Sequence, residues 1–422
     1  IRGGHVVDPE AQLDGIRHIL IENGTVAGIR PEPFPESGID RVIDAAGLIV
    51  APGLIDMHVH FREPGQEHKE TILTGCRAAA HGGFSAVCTM PNTDPVNDNK
   101  KVTAYIRQKA DNAGMVRVYP VGAISVGLQG QRLSDFEELK SAGVIALTDD
   151  GMPVRNSRLM RRAMERAKEL ELLVITHAED LDLAAGGAMN EGETALRLGY
   201  RGIPNAAESI AVMRDIALSE LTGARLHIAH VSTAESVWAI REAKKRGAPV
   251  TAETAPHYFT LTDSAVEKHG TLAKMNPPLR SAKDRAAIRE GLADGTIDVI
   301  ATDHAPHSEK EKQVPFEQAP NGIIGLETAL PLSFSLVEEG LLTNAQLIEK
   351  MATHPARILG LPHGLKTGFA ADITLIDPLR TVTIHTDSFY SLSRNCPFED
   401  WASKGSTVMT LVGGKVVFEK DR

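Results

Sequence analysis

The sequence predicts an α/β protein, with a (β/α)8 TIM-like barrel over residues 51–359 and a small β-sandwich domain built from both termini, residues 1–50 and 360–422. Three observations carry this. Eight short apolar runs recur through the middle of the chain, at 53–60, 84–90, 116–122, 144–149, 172–177, 225–230, 249–253 and 298–303, each followed by a helical stretch. The two ends read instead as strands joined by tight turns. The composition is 42% hydrophobic but only 4% aromatic, with 37 glycines in 422 residues, which suits a large core with close contacts between elements.

In order along the chain, Ile19-Leu20-Ile21 runs into Glu22-Asn23-Gly24 and then Thr25-Val26-Ala27-Gly28-Ile29. Asn-Gly between apolar runs marks a hairpin. In the middle, segments such as 157–170 and 233–246 place apolar residues at helical spacing among Arg, Lys, Glu and Ala. After the eighth run comes a charged stretch, Ser308-Glu309-Lys310-Glu311-Lys312-Gln313, which predicts either a solvated loop or a flap over the site spanning 308–318. The C-terminal end returns to strands at 372–376 and 408–412, with Gly413-Gly414 turning into Val416-Val417-Phe418.

Several function classes drop out on composition. A net charge of −10 argues against nucleic-acid or anionic-membrane binding, which needs basic patches. No apolar run approaches the roughly 20 residues that span a bilayer. Three cysteines, Cys76, Cys88 and Cys396, have no CxxC spacing and make no disulfide framework, so a reducing cytoplasm is expected. The start, Ile1-Arg2-Gly3-Gly4, has no signal-peptide pattern, and its lack of an initiator Met predicts a trimmed N-terminus.

Barrel chemistry sits where strands end and the following loops begin. The first run ends Asp56-Met57-His58-Val59-His60, and strand alternation puts both imidazoles on one face. The fourth ends Thr148-Asp149-Asp150-Gly151, the fifth Ile175-Thr176-His177, the sixth Ile228-Ala229-His230 and the eighth Ala301-Thr302-Asp303. A single such His is most simply a hydrogen-bonded structural residue, and a single Asp a helix cap. Four His and two Asp on five strand ends point instead to a metal site. Nitrogen and carboxylate ligands without thiolate suit Zn2+, or Mn2+, Co2+ or Fe2+. Six ligands exceed the needs of one tetrahedral ion. Two ions would use them all, with His58, His60 and Asp303 on one, His177 and His230 on the other, and Asp150 and a hydroxide bridging. Asp149 should face away.

The segment Pro52-Gly53-Leu54-Ile55-Asp56-Met57-His58-Val59-His60-Phe61-Arg62-Glu63-Pro64-Gly65 resembles the dihydroorotase signature of the amidohydrolase superfamily, and so does Ala301-Thr302-Asp303-His304-Ala305-Pro306-His307. Met90-Pro91-Asn92-Thr93, Asn276-Pro277-Pro278-Leu279-Arg280 and Gly325-Leu326-Glu327-Thr328 match the same family in its order. The chain has no Lys at the fourth strand, where many relatives bridge their metals with a carboxylated lysine. In this it is similar to the long bacterial, class I dihydroorotases.

The resemblance implies reversible, zinc-dependent cyclisation of N-carbamoyl-L-aspartate to L-dihydroorotate and water, in pyrimidine (UMP) synthesis, with one or two Zn2+ per chain. It implies Asp303 as general base, and Arg62, Asn92, Asn276, His307, Asn321 and Gly322 around the substrate, with His60 at its edge. It also implies a homodimer or a complex with aspartate transcarbamoylase. Two other readings compete: a related cyclic amidase such as allantoinase, or a non-catalytic scaffold of aspartate transcarbamoylase. Asp56, two residues before His58, is a candidate hydrogen-bond partner to a ligand. His257 lies where it could approach the site, and alternation turns His304 away from it.

Overall fold

A computed structural model describes residues 1–420. Eight parallel strands form the barrel: β1 (Leu54–Val59), β2 (Phe84–Thr89), β3 (Arg117–Ala123), β4 (Ala146–Thr148), β5 (Leu173–Thr176), β6 (Leu226–Ile228), β7 (Val250–Thr254) and β8 (Val299–Ile300). Each pairs in parallel with its sequence neighbour. All eight coincide with the apolar runs. A parallel bridge from Val59 to His304 joins the β1 and β8 sides, and the His60 N–H donates to the His304 carbonyl at 2.9 Å. The barrel is thus sewn shut beside the residues that matter most.

Side-chain caps start several of the outer helices. Asn99, Asn156, Thr233 and Ser281 each accept hydrogen bonds from the first helical turn. Neither Asp150 nor Asp303 caps a described helix, which removes the simplest non-chemical account of these residues. Small and branched residues fill the layer beneath the site. Ala146, Ile175 and Ala301 share one buried cluster and stand four or two residues before Asp150, His177 and Asp303.

Both ends of the chain contribute to one seven-stranded mixed sheet: Gly4–Asp8, Leu13–Glu22, Thr25–Arg30, Ile49–Pro52, Ile373–Thr383, Ala402–Val412 and Lys415–Glu419. The sheet curls until its two hairpin tips meet. The Gly24 carbonyl accepts from Ala371 N at 2.9 Å, and a Cβ on Gly24 would lie 2.8 Å from the Gly413 carbonyl oxygen. Val6, Ile19, Val50, Ile373, Leu375 and Leu411 fill the space enclosed.

Three features escaped the sequence reading. A short parallel pair, Met189–Asn190 with Gly202–Ile203, lies between β5 and β6. Arg280 pins it from below, donating to Asn190 Oδ1 and the Ile203 carbonyl. Residues 384–401 leave the terminal sheet and pack on the barrel's loop face, where Ile384, Cys396 and Phe398 are buried. The charged run after β8 is also no simple solvated loop. Lys312 is 4% exposed and donates to the Thr271 and Pro320 carbonyls at 3.0 and 2.8 Å. No helix among the described residues is long and apolar enough to cross a membrane.

Candidate functional site

The loop ends of β1, β4, β5, β6 and β8 bring His58, His60, Asp150, His177, His230 and Asp303 together, each at most 5% exposed. Their ligand atoms form three overlapping triads compact enough to hold an ion: His58/His60/Asp150, Asp150/His177/His230 and His58/His230/Asp303. Asp150 belongs to both of the first two, with Oδ1 3.3 Å from His58 Nε2 and 3.7 Å from both His177 Nδ1 and His230 Nε2, and Oδ2 3.5 Å from His60 Nε2. Asp303 Oδ1 lies 3.1 Å from His60 Nε2 and 3.5 Å from His58 Nε2. Asp149 turns away, as alternation requires. Its carboxylate accepts from the Ser125 N–H at 2.9 Å and from the Ser125 hydroxyl, and burial raises its pKa to about 6.

Hydrogen bonds on the far side of each ring set which nitrogen faces the cluster. His58 Nδ1 donates to Glu253 Oε1 at 2.7 Å, and His60 Nδ1 to Asn92 Oδ1 at 2.9 Å, so both offer Nε2. His177 is reversed: Nε2 faces Glu179 Oε2 at 3.4 Å and Nδ1 faces His230 and Asp150. Glu253 is wholly buried and also accepts from His227 Nε2 at 3.0 Å, while His227 Nδ1 meets Thr251 Oγ1 at 2.8 Å. A polar chain thus runs from His58 down into the barrel. Burial alone would raise the Glu253 carboxyl, but bonds from His227 and His58 outweigh it and hold its pKa below the usual range.

Neither Glu253 nor Glu179 was expected from the sequence. Glu253 lies on the inward parity of its strand end, which was the available signal; Glu179 lies in the loop after β5. Asp56 is a hydrogen-bond partner of a ligand, through the backbone and not the ring: it accepts from the N–H groups of His58 and Thr302, both at 3.1 Å.

Charge pulls the cluster in two directions. Burial disfavours every ionised form, yet attraction to Asp303 and Asp150 outweighs it at His58, whose pKa is raised. The same attraction holds Asp150 and Asp303 below the ordinary range despite burial. At His60, burial prevails, Arg62 adds repulsion, and the pKa falls. Three residues of the site have left-handed backbone, Arg62 (φ 59°), His230 (φ 35°) and Asp303 (φ 49°), a conformation costly for side chains of this size.

A cavity of about 250 Å³ opens over the cluster, walled also by Arg62, Asn92, Asn276, His307 and Asn321. Arg62 is 9% exposed, and burial lowers its pKa to about 10, so it stays cationic. Its Nε donates to the Pro306 carbonyl at 3.3 Å, and it makes no salt bridge among the described residues. His307 Nε2 donates to the Asn321 carbonyl at 2.9 Å, leaving Nδ1 buried without a hydrogen bond among the described residues, 4.0 Å from Glu311 Oε2. Burial first, and Arg62 second, push its pKa down to about 2, so the ring is neutral.

Both ends of the Asn92 amide engage ligands, Oδ1 with His60 and Nδ2 with Asp150 Oδ2 at 3.3 Å. One Nδ2 hydrogen remains for a bound molecule. Gly322 stands behind the wall rather than on it. Its N–H donates to the Lys274 carbonyl and its carbonyl accepts from Asn395. Two bystanders are also placed. His304 Nδ1 accepts from Gly325 N at 3.1 Å and Nε2 faces Glu70, away from the cluster. His257 is buried with Nε2 unpartnered but does not reach the cavity wall.

A family profile described as Dihydro-orotase-like matches residues 47–236. A protein named dihydroorotase from Desulforapulum autotrophicum is 57% identical over 422 residues, covering 100% of this chain and 99% of the relative. One of the same name from Geobacter metallireducens is 56% identical over 421 residues, again covering 100% and 99%. Among solved structures, the L-hydantoinase (dihydropyrimidinase) of Arthrobacter aurescens superposes with a TM-score of 0.88 at 26% identity, covering 100% of this chain and 96% of its own. A dihydropyrimidinase from Brevibacillus agri gives 0.87 at 27% identity, covering 99% and 94%.

Proposed function

The chain belongs to the dihydroorotase family, and from that premise we propose that it interconverts N-carbamoyl-L-aspartate with L-dihydroorotate and water, a step of pyrimidine synthesis. One observation carries the reading. A buried cation without a salt-bridge partner among the described residues, Arg62, shares a cavity with a buried cluster of four imidazoles and two carboxylates. A cyclic amide that bears a carboxylate needs both.

The residues fit divalent ions. His58 Nε2 is buried and faces two carboxylates, yet makes no hydrogen bond among the described residues, as a nitrogen reserved for a cation would. Ligand chemistry favours Zn2+. His58, His60 and Asp303 would hold one ion, His177 and His230 a second, with Asp150 shared. When bound, the ions supply Lewis acidity toward the ring carbonyl and make hydroxide available near neutral pH.

The protein's own groups do the rest. Arg62 binds the substrate carboxylate through its planar fork. Asp303 accepts the proton of the attacking water at a carboxylate oxygen and delivers it to the departing ring nitrogen; ring closure runs the same transfer backwards. The neutral His307, with Asn276 and Asn321, completes the wall. Free, buried cysteines suit a reducing cytoplasm. A homodimer, or a complex with aspartate transcarbamoylase, is carried by the family resemblance alone.

The structural likeness to hydantoinases supports a second reading, a neutral cyclic amide as substrate, which the unpaired Arg62 opposes. Metal content and dihydroorotate turnover, measured on one sample, test the first. Wild type should hold zinc and turn over dihydroorotate, and Asp303→Asn should lose at least about 100-fold in rate. Intact turnover in that variant would remove Asp303 from the mechanism, and faster hydrolysis of allantoin or hydantoin would overturn the substrate.

A further inference from the structure

Glu179 follows His177 by two residues and, at 10% side-chain exposure, has among the described residues no cationic side chain other than that imidazole within salt-bridge distance. One of its oxygens, Oε2, meets two donors at the cavity edge: His177 Nε2 at 3.4 Å and Asn276 Nδ2 at 3.2 Å. The loop that carries it is anchored. Asp180 N donates to the Ala207 carbonyl, and its side chain caps the short helix Leu181–Ala184. A carboxylate can only accept. The proton on His177 must therefore sit on Nε2, which leaves the Nδ1 lone pair facing His230 and Asp150. The amide of Asn276 must likewise turn its NH2 toward Glu179. Its Oδ1 is then committed to the other side, and this oxygen is buried without a hydrogen-bond partner among the described residues. Asn276 also lines the cavity. An orphaned acceptor there awaits a donor.

We infer that Glu179 is a positioning residue with two outputs: it fixes His177 as a ligand through Nδ1, and it orients Asn276 so that Oδ1 reads an N–H group of the bound substrate. The second output rests on the dihydroorotase reading; the first does not. Dihydroorotate carries ring N–H groups and carbamoyl aspartate an amide N–H and an NH2, so both partners of the reaction offer the donor. A single carboxylate thereby ties metal affinity to substrate recognition.

The test compares wild type with Glu179→Gln, Asn276→Asp and the double variant. Zinc affinity is read by competition with a chromogenic chelator, kinetics with dihydroorotate at saturating zinc, and folding by thermal melts. Glu179→Gln should weaken zinc binding about tenfold. It should raise KM about tenfold, more than it lowers kcat, because a neutral amide no longer holds the Asn276 NH2 by a charge-assisted bond and leaves that amide free to turn over. Asn276→Asp sets two carboxylates face to face and should raise KM further.

In the double variant the donor and acceptor are exchanged, with Gln at 179 donating and Asp at 276 accepting. KM should fall below that of Asn276→Asp alone. A role in packing alone predicts instead that the two losses add within about twofold. That additivity, or a Glu179→Gln enzyme with zinc affinity and KM both within twofold of wild type, would overturn the inference. Should Glu179→Gln not fold, Glu179→Asp, whose carboxylate is one methylene short of both donors, is read for zinc affinity and KM alone, and values both within twofold of wild type would overturn the inference. Wild-type protein that fails on dihydroorotate overturns the function reading instead, and the zinc comparison still decides the role at His177.

Discussion

Glu253 offers the sharpest test of how the metal ligands are held. Its carboxylate accepts from His58 at 2.7 Å and from His227 at 3.0 Å, and neither ring is more than 1% exposed. Glu253→Ala leaves two buried N–H groups unpaired. At about 1–3 kcal/mol each, the loss is about 2–6 kcal/mol. Native stabilities are commonly only about 5–15 kcal/mol, so this variant should be close to unfolding.

Glu253→Gln differs in kind. Its amide oxygen can still accept from His58, while its NH2 can donate to His227 Nε2 if that ring moves its proton to Nδ1, where Thr251 Oγ1 at 2.8 Å can accept. Nothing is orphaned, and only charge assistance is lost, about 1 kcal/mol per bond. His58 keeps Nε2 toward the metals but becomes a poorer ligand, so zinc affinity should drop by about 10–100-fold. Urea unfolding of the metal-free protein and chelator competition for zinc separate the two effects. Equal destabilisation by Gln and Ala, or wild-type zinc affinity in Glu253→Gln, would refute the reasoning.

Other outcomes follow from the cavity and its supports. Arg62→Met should keep its zinc but lose about 100-fold in kcat/KM for dihydroorotate, because a charge-assisted pair to the carboxylate is gone; steady-state kinetics with metal analysis checks it. Gly322→Ala puts a Cβ 2.5 Å from the Ala305 carbonyl oxygen and 2.7 Å from His307 Cδ2, so it should raise KM and cost about 1–3 kcal/mol in a urea melt. Burial lowers Lys312 from 10.5 to about 7, so between those values the unfolded chain binds a proton that the folded chain does not. Lys312 therefore makes stability climb with pH across that window, and Lys312→Met should remove its share of the slope in urea melts run between pH 7 and 10.

The sequence showed most where chemistry follows from one strand at a time. All eight barrel strands were legible because each is a short apolar run followed by a helical stretch. The six ligand candidates were legible because five of those runs end in His or Asp. What stayed hidden depends on contacts across the barrel. Glu253 reaches His58 only because β7 and β1 face one another through the interior, and nothing in Val250–Thr254 read alone says which residue lies opposite. Asp56 shows the same limit: its position beside the ligand pair was clear, but it holds the local His58 N–H and, through closure of the barrel, the Thr302 N–H instead of a ring. The run 308–313 misled because burial of Lys312 rests on carbonyls from Thr271 and Pro320, which no local charge pattern reveals.

Asn395 has a consequence for anyone recombining relatives of this protein. It lies in the excursion that returns from the terminal sheet, and its side chain accepts from His307 N and donates to the carbonyls of Ala305 and Gly322. The tail and the loop after β8 are therefore one mechanical part. A chimera that exchanges the C-terminal segment for a homologue's imports a piece of the substrate wall along with it. Grafting at the apparent boundary between barrel and sheet would alter specificity without touching a barrel residue.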